Sequence, residues 1–150
     1  EGDFVVSGRG GSGILLVLVD RKTRAAFLER ILEVNIKAVH AACVRIQLRF
    51  PEMRSLTLDN DILFQKHKAL ALLLQIRIYF CHPYHSWEKG TVENTNKYIR
   101  KDIPKGTNLA KLSPSLAPSL EQKLNRRPMK CLRYRTPQEL LDAYRHKKKR

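Results

Sequence analysis

Three carboxylates have the residue types and the order along the chain of a site for divalent cations. Asp3 lies in a strand-like run, Asp59 ends another, and Glu93 falls early in a helical stretch. Neighbouring parallel strands would bring the aspartates together, and a helix packed there would add Glu93. Such a group repels itself unless cations neutralise it. Two Mg²⁺ ions about 3.5–4 Å apart would activate the attacking oxygen and stabilise the leaving oxygen of a phosphodiester.

Spacing alone leaves another interpretation open, because the 14 Asp and Glu residues can supply many such triplets. The helix around Glu93 adds context. One of its sides carries acidic and basic residues: Glu93, Lys97, Arg100 and Lys101. The inward side is apolar: Val92, Ile99 and Ile103. A metal site that contacts a phosphate backbone needs an acid among basic and amide side chains, although a solvated helix face has a similar pattern.

Two further patterns resemble binding motifs. The stretch from Gly8 to Gly13 satisfies GxGxxG, but a dinucleotide fingerprint needs a helix after the last glycine. A strand-like run follows instead, which predicts a flexible hairpin loop whose Arg9 could touch a DNA phosphate. His82 and His85 form His-x-x-His without a nearby third ligand. Loop histidines are therefore favoured over a zinc site.

The elements that must position these residues follow from hydrophobic periodicity. Three strands joined by polar turns form an antiparallel meander over 3–6, 14–19 and 25–31. Asn35 caps a helix that Pro51 stops, and Thr136 with Glu139 forms a capping box before a last helix. The remaining elements are strands at 56–59 and 76–81 and helices at 63–74, 87–103, 115–126 and 137–146. This order predicts an α/β architecture with a mixed sheet.

The net charge of the chain indicates what kind of molecule it binds. The chain has 29 Lys and Arg against 14 Asp and Glu, a net charge of +15, which makes nucleic acid the first candidate. Its three cysteines form no CxxC pair, which favours a reducing, cytoplasmic compartment. The longest apolar run, 14–19, is too short to cross a membrane, and no signal peptide is expected. The absence of Met at position 1 suggests a natural N-terminus further upstream.

Several segments in fixed order resemble one family over nearly the whole chain. They include Glu1-Gly2-Asp3, the stretch Leu18 to Arg24, Thr57-Leu58-Asp59-Asn60, Pro83-Tyr84-His85-Ser86-Trp87, Gly90-Thr91-Val92-Glu93-Asn94-Thr95-Asn96, Pro104-Lys105-Gly106-Thr107, the stretch Lys123 to Pro128 and the stretch Lys130 to Pro137. The 33 residues between Asp59 and Glu93 also agree with the spacing of that family. The chain resembles insertion-sequence transposases of the IS-thirty type, relatives of retroviral integrases with a DDE catalytic core.

The resemblance implies an RNase-H-like (ribonuclease H / integrase core) fold with a mixed five-stranded sheet flanked by helices. It implies an integrase catalytic core over 1–145, and the concentrated charge of 146–150 predicts a basic tail after it. Asp3, Asp59 and Glu93 would bind two Mg²⁺ or Mn²⁺ ions as catalytic ligands. The expected activity is a two-metal-ion polynucleotidyl transfer: DNA strand cleavage and strand transfer at transposon ends, with water and then a DNA 3′-hydroxyl as nucleophile.

The resemblance also implies partners and a location. These are double-stranded DNA of transposon ends and target, a homo-oligomer assembled on DNA, and the bacterial cytoplasm with its nucleoid. An upstream helix-turn-helix region that recognises the ends is expected outside this sequence. Residues 121–150 hold 11 Lys or Arg and 3 acids, which favours DNA contact over a merely solubilising segment. The predicted DNA-contacting or site-supporting residues are Arg9, Asn94, Asn96, Lys97, Arg100, Lys101, Arg126, Arg127, Lys130, Arg133 and Arg135.

Two departures from the family pattern lie after Asp59. Asp61 stands where the family usually has Gly, and Leu63 stands where it usually has Glu before Phe64. A glycine there would allow a backbone angle that Asp tolerates less well, and the missing Glu would weaken local support of the site. Two other functions therefore stay open: a decayed transposase relative that only binds DNA, and an RNase-H-like nuclease acting on another nucleic acid.

Overall fold

The structure is a computed structural model that describes residues 1–82 and 86–148. Five strands and five helices alternate in the predicted α/β manner. The strands are β1 (Gly2–Val6), β2 (Ile14–Val19), β3 (Ala26–Ile31), β4 (Ser55–Leu58) and β5 (Arg77–Phe80). The helices are α1 (Ile36–Arg49), α2 (His67–Leu74), α3 (Gly90–Asp102), α4 (Leu116–Asn125) and α5 (Pro137–Lys148).

The first three strands form the predicted antiparallel meander, in the order β1-β2-β3. Every residue of β2 is buried, as its continuous apolar sequence predicts. Successive side chains of a strand point to opposite faces. Leu16 and Leu18 accordingly pack with α1, α2 and α5, whereas Leu15 and Val17 pack with α3 and α4. Helices thus cover both faces of this sheet, each over its own hydrophobic core.

The remaining two strands, β4 and β5, pair in parallel. The five predicted strands are present, but in the described chain hydrogen bonds join them into a three-stranded and a two-stranded sheet instead of the single mixed five-stranded sheet that was expected. Strands β1 and β4 still lie against each other, because a Cβ on Gly2 would approach Leu58 Cδ2 to 2.7 Å. This contact brings the start of β1 beside the end of β4, where Asp59 follows.

Two helices, α1 and α5, begin where the sequence predicted. The side chain of Asn35 accepts a hydrogen bond from Ala38 N at 2.8 Å at the start of α1. Before α5, Thr136 and Glu139 form a reciprocal capping box, with Thr136 N to Glu139 Oε2 at 2.8 Å and Glu139 N to Thr136 Oγ1 at 3.1 Å. The helix predicted at 63–74 is instead a 3₁₀ turn, Ile62–Phe64, followed by the shorter α2.

The glycine-rich segment is a hairpin loop between β1 and β2, as predicted, and therefore not a dinucleotide fingerprint. Gly8 N donates to Thr107 O at 3.0 Å. A Cβ on Gly8 would lie 2.2 Å from Gly106 Cα, so this backbone approach requires glycine. Within 1–82 and 86–148, no helix is long and apolar enough to cross a membrane.

Candidate metal centre

Asp3 and Asp59 are brought together, and a lysine lies between them. Lys89 Nζ is 3.0 Å from Asp59 Oδ2 and 3.5 Å from Asp3 Oδ1. The Lys89 side chain is only 7% exposed. It stands where a short 3₁₀ turn, Ser86–Lys89, meets the start of α3. The paired carboxylates expected from the sequence therefore exist, with an ammonium group as their counter-ion.

The carboxylate of Asp3 is fixed by three groups. Phe4 N donates to Oδ1 at 2.9 Å, and Asn96 Nδ2 donates to Oδ2 at 3.0 Å. Lys89 completes the set. Burial raises the pKa of Asp3 above its usual value, and Asp59 adds to that effect, while Lys89 and the Phe4 amide oppose it. Desolvation thus raises the pKa of Asp3 more than the neighbouring carboxylate does.

Asp59 leaves one oxygen without a hydrogen-bond partner. Its Oδ2 contacts Lys89, whereas its Oδ1 is buried and finds no partner in the described part of the chain. Asn96 Oδ1 is buried and unpartnered in the same way. Buried polar atoms normally have partners, and carboxylate and amide oxygens are the ligands that hard divalent cations prefer. These residues therefore fit a divalent ion.

Glu93 lies in the first turn of α3 and is half-buried. It is not gathered with the two aspartates, because the described residues contain no group of three or more His, Cys, Asp or Glu close enough to hold a metal ion. The inward face of α3 is as predicted, with Val92 and Ile99 fully buried and Ile103 1% exposed. The position of Glu93 as a third ligand stays a prediction.

Glu1 fixes the start of α3. Its Oε2 accepts hydrogen bonds from Thr91 N at 3.0 Å and Val92 N at 2.9 Å. Its Oε1 is 3.0 Å from Arg21 Nε. A carboxylate at a helix N-terminus satisfies free N–H groups and favours the helix dipole. Glu1 thereby ties the helix that carries Glu93 to the start of β1.

Sequence reasoning missed both Lys89 and Glu1 as site residues. The sequence held one signal for Lys89: it lies four residues before Glu93, a spacing that puts two side chains on the same side of a helix. It stayed hidden because a lysine in a strongly basic chain looks like any other surface cation. Its burial against two aspartates depends on the contact between β1 and β4, which no local pattern encodes.

The structure describes only His82 of the predicted histidine pair. His82 Nδ1 lies 3.0 Å from Glu88 Oε1, and His82 N donates to Glu88 Oε2 at 2.9 Å. His85 falls outside the described residues. The observed contact of His82 is thus with a carboxylate in its own loop.

The basic and amide residues predicted to bind DNA divide into two groups. Those exposed to solvent are Arg9, Asn94, Lys97, Lys101, Arg126, Lys130, Arg133 and Arg135. Three others have internal contacts. Asn96 contacts Asp3, Arg100 Nη2 donates to Val6 O at 3.2 Å, and the Arg127 guanidinium lies 3.3 Å from the centre of the Tyr98 ring.

Part of the basic segment 126–135 and the start of α3 line the same cavity. Met129 and Cys131 line it together with Asn94 of α3. Arg24 also lines it and donates a hydrogen bond to Thr91 Oγ1. Exposed cations of this segment therefore lie close to the helix that carries Glu93.

The prediction that Asp61 strains the backbone is wrong. Asp61 has φ −69° and ψ 143°, an ordinary extended backbone, and its side chain accepts from Leu63 N at 2.8 Å to begin the 3₁₀ turn. Leu63 packs partly buried against the core. The substitution of Gly by Asp is thus accommodated, while Leu63 offers no polar group to the site.

Sequence comparison links this geometry to known proteins. The chain is 36% identical over 135 residues to the transposase for insertion sequence element IS4351 of Bacteroides fragilis, which covers 89% of this chain and 41% of that protein. It is 37% identical over 144 residues to the transposase InsI for insertion sequence element IS30A of Escherichia coli K12, covering 95% and 37%. The chain is a relative of insertion-sequence transposases. No family model matches it.

This transposase relative spans about two fifths of the length of the curated proteins that it matches. Solved structures give its fold. The catalytic core domain of bovine immunodeficiency virus integrase matches with a TM-score of 0.71 at 19% identity, covering 99% of this chain and 96% of that one. A chain of the simian T-cell lymphotropic virus intasome also gives 0.71, at 18% identity, covering 93% and 52%. The fold is that of the retroviral integrase core, so the RNase-H-like prediction is confirmed.

Proposed function

We propose that this chain is the metal-dependent catalytic core of a transposase, which cleaves DNA strands at transposon ends and joins them to a target. The observation that carries the proposal is the Asp3–Asp59 pair. The carboxylate of Asp3 in β1 and that of Asp59, directly after β4, both contact the ammonium of Lys89, and Asp59 Oδ1 is buried without a partner in the described chain. The pair lies in an integrase-core fold and in a sequence related to transposases.

Asp3, Asp59 and Glu93 would hold two Mg²⁺ or Mn²⁺ ions. When bound, such ions activate the attacking oxygen and stabilise the leaving oxygen of a phosphodiester. The chain itself orients the ligands: Asn96 and the Phe4 amide hold Asp3, while Glu1 anchors the helix that carries Glu93. For Glu93 to join the aspartates, its side chain must turn towards them when cations bind.

The exposed cations near α3 would contact the DNA backbone. Met129 and Cys131 of the segment 126–135 line the cavity beside Asn94, and Lys97 and Lys101 are exposed along α3. Phosphate contacts position DNA without reading its sequence, so this part of the protein would bind duplexes with little sequence preference. We further propose that the protein acts in the bacterial cytoplasm at the nucleoid, as an assembly of several copies on the transposon ends.

The second candidate function is DNA binding alone, in a transposase relative that no longer cuts DNA. Two observations favour it: Lys89 already offsets one of the two aspartate charges, and Leu63 stands where the family usually has an acid. The two functions differ in metal-dependent cleavage and agree in DNA affinity, so cleavage has to be measured together with binding.

The test combines Mn²⁺ calorimetry with nicking of supercoiled duplex DNA, for the wild type and for Asp59→Asn and Glu93→Gln. Loss of one carboxylate ligand is expected to weaken Mn²⁺ binding by about tenfold or more and to abolish nicking. Glu33→Gln is the matched control, since Glu33 is exposed and lies before α1. It should leave both measurements unchanged.

The outcomes separate the alternatives. Binding and nicking that depend on both acids support the catalytic core. DNA binding without Mn²⁺ binding or nicking leaves the decayed relative. Faster cleavage of an RNA–DNA hybrid than of transposon-end duplex would favour the RNase-H-like nuclease instead. Mn²⁺ binding that survives both substitutions would contradict the ligand assignment.

A further inference from the structure

We propose that Lys89 is a built-in counter-ion that holds Asp3 and Asp59 together in the metal-free protein, and that the first divalent cation must displace it. The inference rests on the proposed metal-dependent function and deepens it, because it makes Lys89 a positioning residue that sets metal affinity. The Lys89 ammonium contacts both aspartates at 3.0 and 3.5 Å.

Burial explains why a counter-ion is needed. The Asp3 side chain is 22% exposed and lies near Asp59, and two like charges at such a site would repel each other. The Lys89 side chain, 7% exposed, brings one positive charge to both. The fold therefore keeps the ligands close to their working positions before any metal arrives. Removing Lys89 would leave the largely buried Asp3 without its counter-charge, which is destabilising, whereas the 40% exposed Asp59 is partly screened by solvent.

Geometry makes the ammonium and a metal ion competitors. Asp3 and Asp59 would hold a divalent ion through their carboxylates, and the ammonium already contacts both carboxylates at 3.5 and 3.0 Å. Two positive groups beside the same carboxylates would repel each other. The ammonium must leave for the ion to bind.

The surroundings of Lys89 allow this departure. Lys89 is the last residue of the 3₁₀ turn Ser86–Lys89 and directly precedes α3, so it does not lie within a continuous α-helix. Gly90 follows, and nothing lies within 4 Å of a Cβ placed on it. Asp59 Oδ1, buried and unpartnered, is an additional acceptor for the ion that replaces Lys89.

The test compares the wild type with Lys89→Met, which keeps the length of the side chain and removes its charge. Calorimetry with Mn²⁺ should show the dissociation constant of the first ion falling about tenfold or more, because no ammonium has to be displaced. Thermal unfolding in excess chelator should show a lower melting temperature than the wild type, and saturating Mn²⁺ should restore it. Lys111→Met, at an exposed lysine outside the site, controls for the lost charge and should change neither value.

A double-mutant cycle between Lys89→Met and Asp59→Asn in chelator tests the pairing without any metal. If the melting temperature of the double mutant differs from the sum of the two single shifts, the counter-ion role of Lys89 is supported. If the shifts are additive, that role is overturned. If Lys89→Met does not fold without metal, Lys89→Gln replaces it in both measurements.

The two proposals fail differently. Wild-type Mn²⁺ binding that disappears in Asp59→Asn, combined with an unchanged or weaker Mn²⁺ affinity in folded Lys89→Met, overturns the role of Lys89 and leaves the metal-dependent function intact. Mn²⁺ binding by Lys89→Met alone supports the role of Lys89. Absence of Mn²⁺ binding in both proteins overturns both proposals.

Discussion

At the scale of single residues, β1 and α3 are joined by polar contacts spaced along the helix. Glu1 binds the first turn, Asp3 accepts from Asn96 in the middle, and Val6 O accepts from Arg100 further on. Asn96 and Arg100, which the sequence suggested as DNA contacts or as support for the site, thus have structural partners. These contacts align the helix that carries Glu93 with the strand that carries Asp3.

Glu1 gives a prediction at this scale. Glu1→Ala removes a carboxylate whose side chain is 1% exposed and leaves Thr91 N and Val92 N without their acceptor. Hydrogen bonds to a charged group contribute about 1.5–3 kcal/mol. The free energy of unfolding should therefore fall by about 2 kcal/mol in urea titrations, and metal binding should weaken because α3 is less well positioned.

The exposed Glu33 supplies the control, since surface substitutions usually change stability by less than about 0.5 kcal/mol. Equal effects of Glu1→Ala and Glu33→Ala would contradict the anchoring role of Glu1.

At the scale of elements, side chains from two helices cover the edge of β3. Asn125 of α4 accepts from Ala26 N at 2.7 Å and donates to Ala26 O at 2.8 Å. Glu121 accepts from Leu28 N at 2.7 Å, and Arg49 of α1 donates to Leu28 O at 3.1 Å. An uncovered edge strand would pair with other chains. Here the helices protect it and fasten themselves to the sheet.

Asn125→Ala is expected to destabilise the protein strongly. Asn125 is 6% exposed, so its loss leaves a buried N–H and a buried C=O of Ala26 unpaired. Each unsatisfied group costs about 1–3 kcal/mol, and the free energy of unfolding should fall by about 2–4 kcal/mol in denaturant titrations.

The neighbouring Arg126 is exposed and serves as the comparison. Arg126→Ala should leave stability nearly unchanged while weakening DNA binding. Comparable stability losses at the two positions would contradict the edge-covering role of Asn125.

At the scale of the whole molecule, the basic residues behind the net charge of +15 have two roles. Some pair with acids inside the fold, and others stay exposed to solvent. Some arginines are ion-paired within the fold, such as Arg49 with Glu29 and Glu121 and Arg145 with Glu52. The exposed cations of 126–135 have no such role in the described contacts and remain available to a polyanion. Internal pairing thus reduces the cations free for DNA well below the number in the sequence.

Salt dependence measures those free cations. The logarithm of the DNA association constant should fall linearly with the logarithm of salt concentration, and each cation that contacts a phosphate adds about 0.9 to the slope. The double substitution of Arg133 and Arg135 by Ala should reduce the slope by about 2 in fluorescence titrations. Lys37→Ala, on α1 over the opposite face of the sheet, should leave it unchanged. A slope unaffected by the double substitution would place the DNA elsewhere.

The sequence by itself determined the elements and much of their assembly. The unbroken apolar run of β2, the Asn35 cap and the Thr136–Glu139 box are local patterns, and the hydrogen bonds and burial observed in the fold agree with them. The ordered motifs also indicated the transposase relationship and the α/β class. The functional importance of Glu93 rests on those motifs.

Only the tertiary structure decided what surrounds the carboxylates. The contact between β1 and β4 places Asp3 near Asp59, and packing of α3 then buries Lys89 between them. The same packing turns Asn96 to Asp3 and Asn125 to the edge of β3. These contacts join residues up to about a hundred positions apart, so no periodicity or cap in the sequence specifies them. A charged side chain becomes a surface cation or a buried counter-ion according to what the fold places around it.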